Sequence, residues 1–159
     1  MSRYDNNALA GLDDWLGGIL AGLSPAKRKS AATKLGQALR RSNLARIQAN
    51  VEPDGTAMEE RKPRLDRRGR VRRKAGGKMF RKLRYARFWA IKARPDSVEI
   101  SAHRGAQLAA VHHFGEKGFV GRAPDGQKIY TRYPRRRLLG FGDGDDQLAI
   151  DIAAQMFDP

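Results

Sequence analysis

The stretch that decides the fold is SPAKRKSAATKLGQALRRSNLARIQAN, residues 24–50. Ser24 followed by Pro25 predicts the start of a helix, because a serine side chain can accept a hydrogen bond from the first turn and proline fits the first helical position. The apolar side of this helix carries Leu35, Leu39 and Ile47. The pattern predicts one long helix over Pro25–Ala49, ended by the turn at residues 53–55.

Upstream of it, residues 9–23 predict a second, amphipathic helix. Its apolar residues recur at spacings of three and four, at Leu9, Leu12, Leu16, Ile19, Leu20 and Leu23. Gly17 and Gly18 each cost such a helix about 1 kcal/mol relative to alanine, so tertiary packing must hold it. Joined at Ser24, the two helices would form a helical hairpin within residues 1–50.

Downstream, residues 79–134 predict a small antiparallel sheet. Four segments have the composition or alternation of strands: residues 85–93, 98–101, 119–120 and 128–133. The turn Pro124-Asp125-Gly126 separates the last two. A short helix over Ala106–Phe114 is predicted between the strand pairs, with Gly115 as its C-terminal cap.

The C-terminal residues 143–157 predict a closing helix, whose first turn has three acids, Asp143, Asp145 and Asp146, at the positive end of the helix dipole. We therefore predict an α+β fold with an N-terminal helical hairpin, a small antiparallel sheet and a C-terminal helix. One compact domain is expected, with the hairpin at 1–50, a basic loop or arm at 51–78 and an α+β core at 79–159.

The net charge of +15 is concentrated in one stretch. From Arg61 to Arg94, sixteen Lys and Arg face a single acid, Asp66, whereas the rest of the chain balances to zero. The candidate contact residues of the arm are Arg61, Lys62, Arg64, Arg67, Arg68, Arg70, Arg72, Arg73 and Lys74. Such a charge fits DNA or an acidic protein surface, and the sequence leaves that choice open. A solvated loop is the other interpretation.

Several functional classes have little support. With no cysteine in the chain, disulfides and thiolate metal sites are excluded. No apolar run is long enough for a transmembrane helix, and the first residues lack a signal-peptide pattern, so we expect synthesis in the cytoplasm and no membrane contact.

The histidines and the glycine-rich loop also fit structural roles better than chemical ones. His112 and His113 point about 100° apart on a helix, which disfavours a shared metal; we expect one to pack and the other to cap the helix end. Residues 140–144 lack the Lys-Ser/Thr ending of a phosphate-binding loop. Spacing supports no catalytic constellation, so we expect neither enzyme activity nor a cofactor.

Taken in order, several short motifs resemble the virion-morphogenesis (tail-completion) family of contractile-tailed phages. They are LDDWL (12–16), LSPA (23–26), PDGT (53–56), RKPR (61–64), KMFRKLR (78–84), VHHFG (111–115) and YPRRRLLG (133–140). The resemblance covers nearly the whole chain. One departure is Met58, where family members often carry an aromatic residue shortly after the Pro-Asp-Gly turn.

The resemblance implies a structural role at the head-proximal end of the tail. It implies a homo-oligomeric ring, commonly hexameric, that caps the tail and supports head–tail joining. The expected partners are copies of the chain itself, tail tube, sheath or neck and connector proteins, and DNA in the neck channel. The expected location is the tail–neck region of the virion, after assembly in the host cytoplasm.

A candidate subunit interface follows from the last motifs: Phe114, Tyr133, Arg135, Arg136, Arg137, Leu138 and Leu139. Arginine is enriched in interfaces. For Leu138 and Leu139, ordinary core packing is an equal alternative.

A nucleic-acid-binding protein that uses residues 61–94 is the alternative function. Aromatic residues interleave its cations, at Phe80, Tyr85, Phe88 and Trp89, and such rings can stack on bases. Their alternation favours a place in the core instead.

Overall fold

A computed structural model describes residues 17–18, 22–60, 68 and 79–156 of the 159-residue chain. Its elements are α1 (Pro25–Ala49), a 3₁₀ turn (Ala86–Phe88), β1 (Trp89–Ala93), β2 (Val98–Ala102), α2 (Ala106–Phe114), β3 (Lys117–Arg122), β4 (Lys128–Arg132) and α3 (Asp145–Ala154). The mixed α+β fold with a C-terminal helix is confirmed.

Helix α1 has the predicted bounds because both of its ends are set by local chemistry. The hydroxyl of Ser24 accepts the N–H of Lys27 at 3.3 Å. At the other end Asn50 adopts a left-handed conformation, with φ of 57°, and its N–H returns to the last turn. Gly17 and Gly18 are helical. Most of the predicted helix 9–23 lies outside the described residues, and so does most of the basic arm.

The strands form two separate antiparallel pairs rather than one sheet. In the first pair, Trp89 lies opposite Ala102 and Ala93 opposite Val98. This strand begins at Trp89, later than the predicted residue 85, because residues 86–88 form the 3₁₀ turn. The second pair, β3 with β4, has a bulge between Phe119 and Gly121.

The core lies where α1 packs on the first strand pair, and Ala109 of α2 belongs to it. Its buried members are Ile47, Met58, Leu83, Trp89, Ala109 and Leu138. Gly36 permits the close approach of α1 to the strands, because a Cβ at this position would come within 2.6 Å of the Val98 Cγ2 and 2.7 Å of the Ile91 Cγ2. Among the residues that the structure describes, none of the helices combines the length and apolarity needed to cross a bilayer.

Helix α3 is shorter than predicted, starting at Asp145 rather than at residue 143. Asp145 is buried, so it does not face solvent as a simple dipole partner of its helix. Its carboxylate accepts hydrogen bonds from the Ser42 hydroxyl at 2.6 Å, from Arg46 at 2.9 Å and from the Gly142 N–H at 2.9 Å. These bonds fix α3 against α1.

Candidate functional site

The predicted interface residues lie mostly in one extended segment between β4 and α3. We call residues 133–140 the arginine segment. It crosses the C-terminal end of α2 and continues beside the loop at residues 51–60. Its three consecutive arginines differ sharply in environment, which the sequence alone did not predict.

Arg136 is buried, with only 3% of its surface exposed. Its guanidinium donates to the backbone carbonyls of Glu59 at 2.6 Å and Glu60 at 3.1 Å, and lies 3.1 Å from the His112 Nδ1. Its backbone N–H also donates to the His112 carbonyl at 2.7 Å. The prediction that Arg136 is a subunit contact is corrected, because the side chain is used inside the subunit.

Arg137 binds the Pro-Asp-Gly turn. It donates to the Glu52 carboxylate at 2.8 Å and also pairs with Asp54. The hydrogen bond with Glu52, opposed by desolvation and supported by the Asp54 charge, raises the pKa of Arg137. Hydrogen bonds from the side chain and backbone of Thr56, with a smaller contribution from Arg137, lower the pKa of Asp54. The turn and the arginine segment are therefore held together.

Leu138 is buried in the core. Of its two interpretations, subunit contact and ordinary core packing, the structure therefore supports core packing. The Leu138 N–H donates to the His113 Nδ1 at 3.2 Å, so that nitrogen is unprotonated in this arrangement. Burial, followed by the charges of Arg135 and Arg137, lowers the pKa of His113. His113 therefore holds the arginine segment, whereas we expected one histidine to cap the end of α2. His112 packs edge-on between Phe80 and Tyr133, as expected of the other.

Beside the arginine segment lies an open apolar groove of about 480 Å³. It is lined by Leu39 and Asn43 of α1, Trp89, Val98, Ile100 and Ala102 of the first strand pair, Ala106, Ala109, Ala110, His113 and Phe114 of α2, and Leu138–Phe141. Two aromatic rings at its rim face solvent, since Phe114 is 63% and Phe141 71% exposed. Of the predicted interface, Phe114 and Arg135 are thus exposed, and Tyr133, Arg137 and Leu139 are half-buried.

The aromatic residues of the basic stretch do not form a stacking platform. Trp89 is buried, and Phe80 and Phe88 pack against the core. Only Tyr85 among these four is exposed, and its ring lies 5.4 Å from the Arg84 guanidinium and 5.0 Å from that of Arg87. The interpretation of these residues as core residues is confirmed for Trp89.

Of the predicted basic-arm residues, Arg68 is described, as an exposed turn residue. Arg61, Lys62, Arg64, Arg67, Arg70, Arg72, Arg73 and Lys74 lie outside the described residues. Across the described part of the chain, histidines and acids nowhere come together in a group of three that could hold a metal ion.

The comparison with protein families agrees with this arrangement. The model of the phage virion morphogenesis family matches residues 8–158. The chain belongs to the phage virion morphogenesis family. The chain is also similar to the tail completion protein S of Escherichia phage P2, with 37% identity over 150 residues, which is 92% of this chain and 95% of that protein. No solved structure matches the chain.

Two features of this member of the phage virion morphogenesis family were missed by sequence reasoning. One is the network in which Asp145 binds Ser42 and Arg46, about 100 positions away, with no local signal in the sequence. The other is the exposure of β3 and β4. A sequence signal for this exposure existed, because each of the two strands begins and ends with a cation and neither has a wholly apolar face.

Proposed function

We propose that this chain is a structural tail completion protein that caps the phage tail and supports its joining to the head. The observation that carries the proposal is the 37% identity to a tail completion protein, spread over nearly the full length of both chains. Such coverage means that the whole fold, and not one motif, is shared.

The geometry supports an assembly role over a catalytic one. The arginine segment is fixed by bonds of Arg136 and Arg137 to distant parts of the chain, which gives a rigid surface. Exposed Phe114 and Phe141 flank an apolar groove beside it. Exposed apolar patches of this kind usually mark protein–protein contacts.

We further propose that the protein acts as a homo-oligomeric ring, a hexamer in the simplest case, in the tail–neck region of the virion. Its neighbours would be tail tube, sheath or neck and connector proteins, joined during assembly in the host cytoplasm. The cations of residues 61–74 would contact DNA in the channel or an acidic neighbouring protein, since cations alone suffice for phosphate contacts.

The test removes the gene from the phage genome that encodes the chain and examines the particles by electron microscopy. We expect heads and tails that remain separate, with tails of abnormal ends or lengths. The wild-type gene supplied in trans should restore joined particles. Normal infectious particles without the gene would contradict the proposal, and so would absence of the protein from purified wild-type virions.

A further inference from the structure

The second strand pair has one solvent-facing side on which every charged residue is a cation. Cross-strand partners share a face, and so do alternate residues along a strand. Lys117 lies opposite Arg132, Phe119 opposite Tyr130 and Arg122 opposite Lys128. These six side chains therefore share one face, which we call the basic ribbon.

The opposite face is the one turned toward the protein. A Cβ on Gly118 would come within 2.7 Å of the Tyr133 ring and 3.2 Å of the Val111 side chain. Gly118 thus lets this face lie close against α2 and the arginine segment. The basic ribbon points away, and its two rings, 5.9 Å apart at their centres, are 53% and 57% exposed.

This arrangement is unfavourable for an isolated hairpin. Like charges directly opposite each other destabilise a strand pair, and the ribbon has such a pair near each end, Lys117 with Arg132 and Arg122 with Lys128. A two-stranded hairpin is also only marginally stable in water. Both costs fall when an anionic surface with apolar residues covers the ribbon.

The same chain carries a surface of the complementary kind. Between Leu138 and Met156 the sequence has four acids and no Lys or Arg. Asp145 is used internally by Arg46. The other three acids are exposed, with Asp143 just before α3 and Asp146 and Asp151 within it. Phe141 and Ile150 are exposed beside them. We call these five residues the acidic face.

The basic ribbon and the acidic face occupy different parts of one subunit. The ribbon rests on α2 through Gly118, whereas α3 packs on α1 through Asp145 and Ile152. Two lysines of α1, Lys27 and Lys34, border the junction of α1 with α3 beside Ile152. None of the ion pairs among the described residues joins the ribbon to the acidic face.

We propose that the basic ribbon of one copy of this chain docks on the acidic face of the next copy. The contact joins two different surfaces, so repeating it produces a head-to-tail assembly that can close into a ring. Phe119 and Tyr130 cover Phe141 and Ile150, and the cations meet the three aspartates. This inference rests on the proposed function, because it specifies the contact by which the ring forms.

A charge exchange tests the contact. The variant Lys117→Glu/Lys128→Glu turns both like-charged cross-strand pairs into opposite-charged ones, so the hairpin stays folded while the ribbon loses its net charge. The variant Asp143→Lys/Asp151→Lys reverses the acidic face and leaves the first-turn acids of α3 in place. The matched control, Lys29→Glu/Lys82→Glu, makes the same change of charge on exposed lysines elsewhere.

The oligomer mass is measured by light scattering over a range of concentrations, together with the affinity for duplex DNA. We expect each paired variant to need about tenfold more protein to associate, or more. The four-residue combination should associate better than Asp143→Lys/Asp151→Lys alone, because a ribbon without net charge no longer repels the reversed face. The control should associate like the wild type.

Four outcomes would overturn the inference. If the combination associates no better than Asp143→Lys/Asp151→Lys, the two faces do not meet. If Lys117→Glu/Lys128→Glu lowers only the DNA affinity, the ribbon binds nucleic acid instead. Unaltered association of both paired variants, with an oligomeric wild type, would remove this contact but leave the proposed function standing. A wild type that is monomeric at all concentrations would contradict the ring itself.

Discussion

At the residue scale, two buried charged side chains connect distant parts of this protein through hydrogen bonds. Arg136 and Asp145 are both nearly inaccessible to solvent, and each has at least three hydrogen-bonding partners. A buried charge is tolerated only when its polar atoms are satisfied in this way. Removing either side chain leaves its partners without these hydrogen bonds, so both positions should be sensitive to substitution.

Replacing Arg136 should destabilise the fold strongly. Arg136→Ala is expected to lower the free energy of unfolding by about 3 kcal/mol, because the Glu59 and Glu60 carbonyls lose a charged donor. Arg136→Lys should recover only part of this, since an ammonium cannot reproduce the planar fork. Urea unfolding gives the values. The exposed neighbour serves as control, and Arg135→Ala should change stability by less than about 0.5 kcal/mol.

Asp145 should make stability depend on pH. Burial raises the pKa of Asp145, but hydrogen bonds from Ser42, the Gly142 N–H and Arg46, together with the Arg46 charge, outweigh it and lower the pKa below its usual value. A carboxyl group with a lowered folded-state pKa stabilises the protein above its unfolded pKa of about 3.9, and this contribution is lost as the pH falls through the folded value.

Asp145→Asn should therefore cost about 3 kcal/mol at neutral pH, and the difference from wild type should shrink below about pH 4. Urea unfolding at pH 7 and pH 3 measures both values. Asp146→Asn, an exposed change in the same turn, should cost less than about 1 kcal/mol. An Asp145→Asn penalty that stays constant across this pH range would show that the charge is not what stabilises the contact.

At the scale of elements, the fold depends on close packing of α1 against the first strand pair. The helix carries Gly36 at the crossing, although glycine is a poor helix former. The contact distances explain why this position is a glycine, because the Ile91 and Val98 side chains occupy the space that a Cβ at position 36 would need. Tertiary packing here outweighs helix propensity.

Gly36→Ala should destabilise the protein in spite of the better helix former. Alanine improves the helix by about 1 kcal/mol, whereas overpacking costs about 1–3 kcal/mol, so a net loss of about 1 kcal/mol is expected. Val98→Ala in the same chain should relieve one of the two close contacts and make the two changes less than additive. Thermal unfolding of the single and double variants checks this. Gln37→Ala, on the exposed side of α1, should be neutral or stabilising.

For the whole molecule, the main feature is that apolar side chains remain on the surface of a small fold. Phe114, Phe119, Tyr130 and Phe141 are all more than half exposed. Solvent exposure of so many rings is unfavourable in an isolated subunit, and assembly would cover them. The position of Phe114 at the rim of the apolar groove makes it a test of this view.

Phe114→Ser should leave the subunit as stable as the wild type, because the ring is mostly in solvent, but should weaken association about tenfold or more. Light scattering and thermal unfolding together distinguish the two effects. Leu108→Ser is the matched control, since Leu108 is an exposed apolar residue of the same helix that does not line the groove. Equal association of both variants with the wild type would remove Phe114 from the interface.

The bounds of α1 and α2 could be predicted from the sequence because the signals that set them are local. The bounds of α1 follow from Ser24, Pro25 and the residues that end the helix, and those of α2 from its spacing and Gly115. Each signal acts within a few residues. The order of the short motifs likewise indicated the family, since it needs no knowledge of contacts.

Only the tertiary structure decided which of the three consecutive arginines is buried, and that Asp145 is buried. Arg136 is buried because the carbonyls of Glu59 and Glu60, 77 and 76 positions away, accept from it. Arg135 has no such hydrogen bond to the residues that the structure describes, and it is exposed. Asp145 meets a hydroxyl 103 positions away. Sequence sets the chemistry of a side chain, but burial of a charge depends on partners that folding brings together from distant parts of the chain.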